Sequence, residues 1–435
     1  MKYAIIGGGI AGLYAANQLI VKYNIHPTNI TIYEKTNRWG GRIQTQTQQS
    51  FVFHCGAGRF KKTHIHLMNL IKRYGFENKI YSFDNRKEVR FLTPDNINIV
   101  KNKEIHQIIS KVLTHRHIQK HSTEHLHTIN TFDYFSSLTD NTTANVIKTA
   151  FGYDAEFDIQ NADATLSALQ NDFNINSQYY SIQGYLEQII AAMVDELLSM
   201  GVSMILNCTV KEIVRTQQRK MKYNIYVSIK NDDSVSLSVV DTVILALDRN
   251  ALLRVNIPLL HPMRNILSKS ITSVPLCRIY AAFPNTDTTG KVWFSNIRGT
   301  VVSNTRIRQF IPYDITTGFC VISYTDGETA SNWNRIRTKN ELVTTLLHEL
   351  KLLFPDIDET IPEPSFIKKC FWQHGCHVWN VGYPMNNIYS QILHPVQNEN
   401  IYICGEAYSL QQGWIEGALI SVQDTLTVMF DKTIN

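Results

Sequence analysis

The chain contains no apolar run near the about 18 residues that cross a bilayer, no dense block of Lys and Arg, no internal repeat and no low-complexity linker. Each absence removes a class of function. Without a span, no membrane partner is expected. Without a basic track, a formal net charge of +5 over 435 residues is too diffuse for a nucleic-acid partner. The seven cysteines (Cys55, Cys208, Cys277, Cys320, Cys370, Cys376 and Cys404) are odd in number and lack metal-type spacing. They suit a reducing compartment better than a disulfide framework. Turn glycines that begin at Gly7 leave no room for a cleavable leader, so a soluble, cytoplasmic protein is expected. The missing linker implies interleaved lobes, and 44% hydrophobic residues at this length support two or three of them.

What is present is concentrated first at the N-terminus. Tyr3 to Ile6 reads as a short buried parallel strand and Ile10 to Val21 as an Ala-rich helix, with Gly7-Gly8-Gly9-Ile10-Ala11-Gly12 at the junction. In a dinucleotide site Gly7 gives the tight turn, Gly9 lets the backbone approach a pyrophosphate, and Gly12 lets the helix pack on its strand. The helix N-terminus, beginning at Ile10 and Ala11, offers unpaired amides to phosphate. A second apolar run, Asn29 to Tyr33, ends at Glu34 and Lys35, where an acid can bond a ribose hydroxyl. A dinucleotide site follows from strand, helix and acid in register.

Beyond it, Glu34-Lys35-Thr36-Asn37-Arg38-Trp39-Gly40-Gly41-Arg42 resembles the second phosphate-contacting motif of two-domain flavoproteins. Adjacent glycines give close backbone approach, and Arg38 and Arg42 would add charge-assisted bonds to a diphosphate. The resemblance favours FAD over NAD. The run Phe51 to Cys55 leads into Gly56-Ala57-Gly58-Arg59, the turn that such proteins pass beside the flavin ring, although His54 stands where an acidic residue is usual. By the same resemblance Val210, in Asn207 to Ile213, meets the adenine.

The middle of the chain is less specific. Residues 80–100 read as short strands, 103–192 as mainly helical, then an amphipathic helix to Met200 and a strand from Val202 to Leu206. Tyr223 to Ile229 and Ser234 to Val240 form a hairpin, and Val239 to Ala246 a buried strand. Strands dominate from Pro258 to Pro384 (Leu276 to Phe283, Val292 to Phe294, Thr300 to Val302, Gly318 to Tyr324), with one helix from Asn340 to Leu353. His115, His117, His121, His125 and His127 lack a completing cysteine or carboxylate, so they read as a solvated helix face and no metal is expected.

At the C-terminal end, Asn400 to Cys404 forms a strand that ends in Gly405-Glu406, followed by Gly413-Trp414-Ile415 and a long helix. With the N-terminal motifs this closely resembles the FAD-dependent flavin amine oxidases, which include monoamine, polyamine and L-amino-acid oxidases. The likeness implies an α/β fold: a discontinuous Rossmann-like FAD-binding domain (1–60, 195–250, 385–435), a mixed-sheet substrate domain (61–100, 251–384) and a mainly helical insertion (101–194). It implies oxidation of a small amine or amino acid by hydride transfer from the α-carbon to flavin, with O2 as acceptor and peroxide as product. Trp414 would form one aromatic wall, with the other in the stretch Trp372 to Trp379, His377 and Trp379 being its named candidates, and Cys376 falls where monoamine oxidases link flavin covalently. Arg278 stands where related oxidases carry a lysine, and it keeps the charge without the ability to lose a proton. Arg59 resembles the arginine that holds the substrate carboxylate in L-amino-acid oxidases and tryptophan monooxygenases. Two alternatives stay open: a dehydrogenase or desaturase with a non-oxygen acceptor, and a non-catalytic structural flavoprotein. A homodimer is left open as well.

Overall fold

The computed structural model describes residues 1–93, 96–100, 104–105, 107–111, 123–171, 178–217, 222–229, 235–285, 290–357 and 361–431. Tyr3–Ile6, fully buried, is the centre of a five-stranded parallel sheet in the order Ile401–Ile403, Thr242–Leu245, Tyr3–Ile6, Ile30–Tyr33, Ser203–Ile205. Strands covered on both faces need apolar residues throughout, and these short runs supply them. The helices Ile10–Val21, Glu187–Met200 and Ile415–Phe430 pack together over one face, with Leu13, Leu19, Ile189, Met193, Leu419 and Val422 in a common core. Gly201, in the left-handed region at φ 93°, stops the second of these helices before the edge strand.

Gly12 sits in the first helix where a Cβ would lie 2.0 Å from the Gly7 carbonyl oxygen, so helix and turn touch backbone to backbone. Gly7 itself has φ +112° and is pressed against the Ala246 carbonyl of the neighbouring strand connection. Distant parts of the chain are tied in at the same level. The buried carboxylate of Glu416 accepts the amides of His66 (2.9 Å) and Leu67 (3.0 Å), capping the helix Ile65–Arg73 from the far end of the sequence.

A mixed seven-stranded sheet forms the other half, in the order Phe366–Trp379, Ile271–Ala282, Phe319–Asp326, Gln309–Asp314, Thr300–Ser303, Lys87–Leu92, Ile97–Val100. Only the contact of Thr300–Ser303 with Lys87–Leu92 is parallel. A three-stranded antiparallel sheet, Cys208–Arg215, Tyr223–Ile229 and Val235–Val240, lies beside the parallel one. Helices Thr131–Leu138, Asn141–Phe151 and Ala162–Asn171 share a core of Tyr134, Phe135, Phe157 and Leu166.

Several expectations need correction. The run from Val239 to Ala246 is not one strand: it breaks at Asp241, whose carboxylate takes the Lys2 amide at 2.6 Å, and its two halves enter different sheets. Val292 to Phe294 is a turn, apolar because Trp293 and Phe294 plug the core under the large sheet. The region from Pro258 to Pro384 holds the helices Arg264–Lys269 and Gly327–Arg335 as well as Lys339–Leu353. Cys55 and Cys370 are disulfide-bonded with Cα atoms 5.3 Å apart, a pairing across a sequence separation of 315 residues that no local spacing could reveal. His115, His117 and His121 lie outside the described residues. Among the described residues, no group of three or more His, Cys, Asp or Glu could hold a metal ion, and no helix is long and apolar enough to cross a membrane.

The close contact at Gly12 gives a direct test. Gly12→Ala should force the helix Ile10–Val21 off its strand and destabilise the flavin-free protein by about 1–3 kcal/mol, read as a lower urea midpoint. An unchanged midpoint would show that the turn can yield.

Candidate active site

A cavity of about 760 Å³ is lined by residues of both large sheets. Gly7, Gly9, Ile10, Ala11, Glu34, Lys35, Gly40, Gly41, Arg42, Gly56, Ala57, Gly58, Arg59, Val210, Gly405, Glu406, Gly413, Trp414 and Ile415 all border it, as do Arg278, His377 and Trp379. Segments from both ends and the middle of the chain therefore meet on one space. Gly12 does not border it, in keeping with its packing position.

The walls fit a dinucleotide. A Cβ on Gly9 would meet within 4 Å only the Gly41 Cα, at 3.9 Å, and its φ of −73° is open to any residue. Neither backbone conformation nor protein crowding calls for glycine there, so the free space belongs to the cavity. No side chain caps the helix Ile10–Val21, which leaves its leading amides for an anion. Glu34 is fixed at the strand end by the amides of Gly8 and Thr36, both at 2.8 Å.

Glu406 is the knot of the site. Its Oε2 accepts Arg42 Nη1 (2.6 Å) and His377 Nδ1 (2.8 Å), and its Oε1 accepts the amides of Gly413 (2.8 Å) and His377 (3.1 Å). Burial alone would raise its pKa, but Arg42 and His377 override that and hold the carboxyl well below the usual range. Arg42 also donates to the Gly375 carbonyl at 3.1 Å, while Arg38 curls back onto the carbonyls of Trp39, Gly41 and Ile43. Both arginines border the cavity, and these bonds also hold the glycine loop and the strand Phe366–Trp379 in place.

An adjoining space of about 200 Å³ shares Gly58, Arg59, Tyr153, Arg278 and Tyr324 with the large cavity. Arg59 Nη2 donates to the Tyr153 hydroxyl at 2.6 Å, and its guanidinium lies 4.8 Å from the Tyr179 ring centre. Arg278 Nη1 donates to the carbonyls of His54 (3.0 Å) and Gly56 (3.2 Å), with its guanidinium 4.3 Å from the Tyr324 ring centre. Among the described residues, no carboxylate forms an ion pair with either arginine. Lys87 borders the same space, its Nζ donating to the Ala150 carbonyl at 3.1 Å. Burial and Arg278 push His54 down to about 3, so at the usual acid position this chain presents a neutral ring.

Trp414 stacks on Tyr179, ring centres 6.0 Å apart and 12° from parallel. Of the stretch Trp372 to Trp379 expected to hold the partner wall, Trp372, His377 and Trp379 all border the cavity. Trp379 is 1% exposed with its Nε1 on the Ser409 carbonyl, and His377 is bound to Glu406, so neither offers an open ring face. The more open ring of that strand is Trp372, whose Nε1 donates to the Cys55 carbonyl at 2.6 Å. Burial pushes the Cys376 thiol up, which disfavours the thiolate that covalent attachment would use. Sequence reading missed Tyr153, Tyr179, Tyr324, Glu156 and Asp326 as cavity residues. They arrive from the helical insertion and the far strands, with no spacing to betray them. Glu156 and Asp326 are both raised, burial first and their neighbouring carboxyls second.

The model of the family described as flavin containing amine oxidoreductase matches residues 10–423. The chain belongs to that family. It is an FAD-dependent oxidoreductase acting on amines. Over its whole length it is similar to an uncharacterised protein of Acanthamoeba polyphaga mimivirus, 20% identical with 99% of this chain and 94% of that one covered. Over 78 residues, 17% of this chain and 14% of the relative, it is 32% identical to tryptophan 2-monooxygenase of Pseudomonas savastanoi. In fold it is similar to putrescine oxidase (TM-score 0.78, 16% identity, 99% of each chain) and to cyclohexylamine oxidase of Brevibacterium oxydans (TM-score 0.74, 14% identity, 98% of each chain).

The open space at Gly9 leads to an expected outcome. Gly9→Val should keep the fold, since no protein atom opposes the side chain, yet lose most bound FAD, measured as the 450 nm absorbance per protein after purification. Full flavin content in that variant would contradict this placement of the pyrophosphate.

Proposed function

We propose that this protein oxidises an α-amino acid, and the observation that carries the reading is the pair of partly buried arginines, Arg59 and Arg278, which border the cavity with no carboxylate counter-ion among the described residues. Two guanidinium groups beside one cavity cost desolvation that an anionic substrate group would offset. Arg59 is the better placed, since only one of its donors is engaged by Tyr153 and the planar group can grip a carboxylate with two parallel bonds. Arg278 holds the carbonyls on either side of Cys55 and keeps the Gly56–Gly58 turn in shape. A polyamine cation would meet repulsion from Arg59, Arg278 and Lys87 together.

Bound FAD would supply the hydride acceptor for the substrate α-carbon and the centre that O2 reoxidises with formation of peroxide. Gly7, Gly9 and the amides of Ile10 and Ala11 would hold its pyrophosphate, Glu34 its ribose, and Val210 its adenine. Gly405, Gly413 and the start of the helix Ile415–Phe430 would face the ring side, where a helix N-terminus favours negative charge. The chain's part in the chemistry is positioning and exclusion of water. Trp414 and Tyr179 form a parallel aromatic pair that orients the substrate's carbon frame, and the tyrosine-lined wall favours the uncharged amine.

Arg59→Ala should raise KM for an α-amino acid by roughly 100-fold or more, the cost of one unpaired carboxylate at about 3 kcal/mol, while decarboxylated analogues change little. Equal loss for both substrate types would show that Arg59 supports the fold rather than the carboxylate.

A further inference from the structure

Cys55 and Cys370 are not used by the function proposed above, yet both border the large cavity. Cys55 lies between His54 and Gly56, whose carbonyls Arg278 holds, and its own carbonyl accepts Trp372 Nε1. Cys370 lies directly opposite Arg278 in the sheet register. The bond therefore links the ring-side glycine turn to the strand that carries Trp372 and Cys376. Its outer side is closed: the two cysteines are 6% and 5% exposed and sit among Phe53, Tyr280, Phe319 and Phe366. A disulfide sealed from solvent but bordering the cofactor cavity has one open route for electrons, through that cavity.

We propose that the Cys55–Cys370 pair exchanges two electrons with the bound flavin, so that this chain carries its own internal acceptor. The inference rests on the flavoprotein reading above. Over one cycle the substrate gives up a hydride from carbon and a proton from nitrogen, and its C–N bond becomes C=N. The S–S bond breaks, the pair takes up two electrons and two protons, and two S–H groups form. The balance closes without oxygen, and the thiols return the electrons by the reverse path once an external oxidant has cleared the flavin. Cys208 and Cys376, which also border the cavity, stay outside the exchange because both are free cysteines.

The test uses the purified holoprotein without air and needs no knowledge of the substrate. Flavin is reduced by light with EDTA and a deazaflavin, bleaching is followed by absorbance, and samples are quenched in acid, alkylated while denatured, digested and mapped by mass. The wild type should take about four electrons per flavin before bleaching is complete, against about two for Cys370→Ser. In the wild type, Cys55 and Cys370 should appear in separate alkylated peptides. Complete bleaching at about two electrons, with the two peptides still joined, would overturn the proposal even if the variant fails to fold. Protein purified without any flavin would overturn both this inference and the function on which it rests, whereas bound flavin beside a persistent disulfide removes this inference alone.

Discussion

A buried carboxylate must find donors, and Glu406 finds four: Arg42 from the N-terminal motif, the ring and amide of His377 from the long strand Phe366–Trp379, and the amide of Gly413 before the last helix. Removing Arg42 would leave the buried Glu406 carboxylate short of its charged partner, at a cost of about 3–5 kcal/mol. This single group thus fixes the relative positions of three segments that lie far apart in sequence. The cavity depends on that register. Were Arg42 and Gly413 to slip, the paired glycines Gly40 and Gly41 and the turn before Trp414 would no longer face each other across it.

A division of labour follows. The glycines at 7, 9 and 12 differ in what they avoid: a carbonyl of a neighbouring strand, an empty volume, and a carbonyl of their own turn. The positive charges differ in the same way. Arg38 and Arg42 satisfy carbonyls and a carboxylate of the protein, whereas Arg59 and Arg278 stand among tyrosine rings and backbone carbonyls with no carboxylate ion pair among the described residues. Charge spent on architecture and charge held for a ligand can be told apart by partner, though not by residue type.

The cofactor half was legible in the sequence because its signals are local. The strand Tyr3–Ile6, the helix Ile10–Val21, the left-handed Gly201 and the turn at Gly413 each lie where period and glycine placement put them. The substrate half was legible only in part. Trp293 and Phe294 look like strand residues because burial, not extended backbone, demands apolar side chains there. The break at Asp241 depends on the Lys2 amide, and the cystine depends on a strand 315 residues away. Tyr153 and Tyr179 reach the site through a helical insertion whose packing no motif encodes. Family membership supplies the cofactor and the reaction class, while the proposal of an α-amino acid substrate rests on Arg59 and Arg278.

The most direct test of that proposal is anaerobic bleaching of the bound flavin by a panel of α-amino acids, their decarboxylated amines, and simple polyamines, followed by admission of air and assay of peroxide. The account predicts that at least one amino acid bleaches the flavin far faster than its own decarboxylated amine and than any polyamine, with peroxide formed on reoxidation. Rapid bleaching by putrescine-like amines with none by amino acids would contradict it.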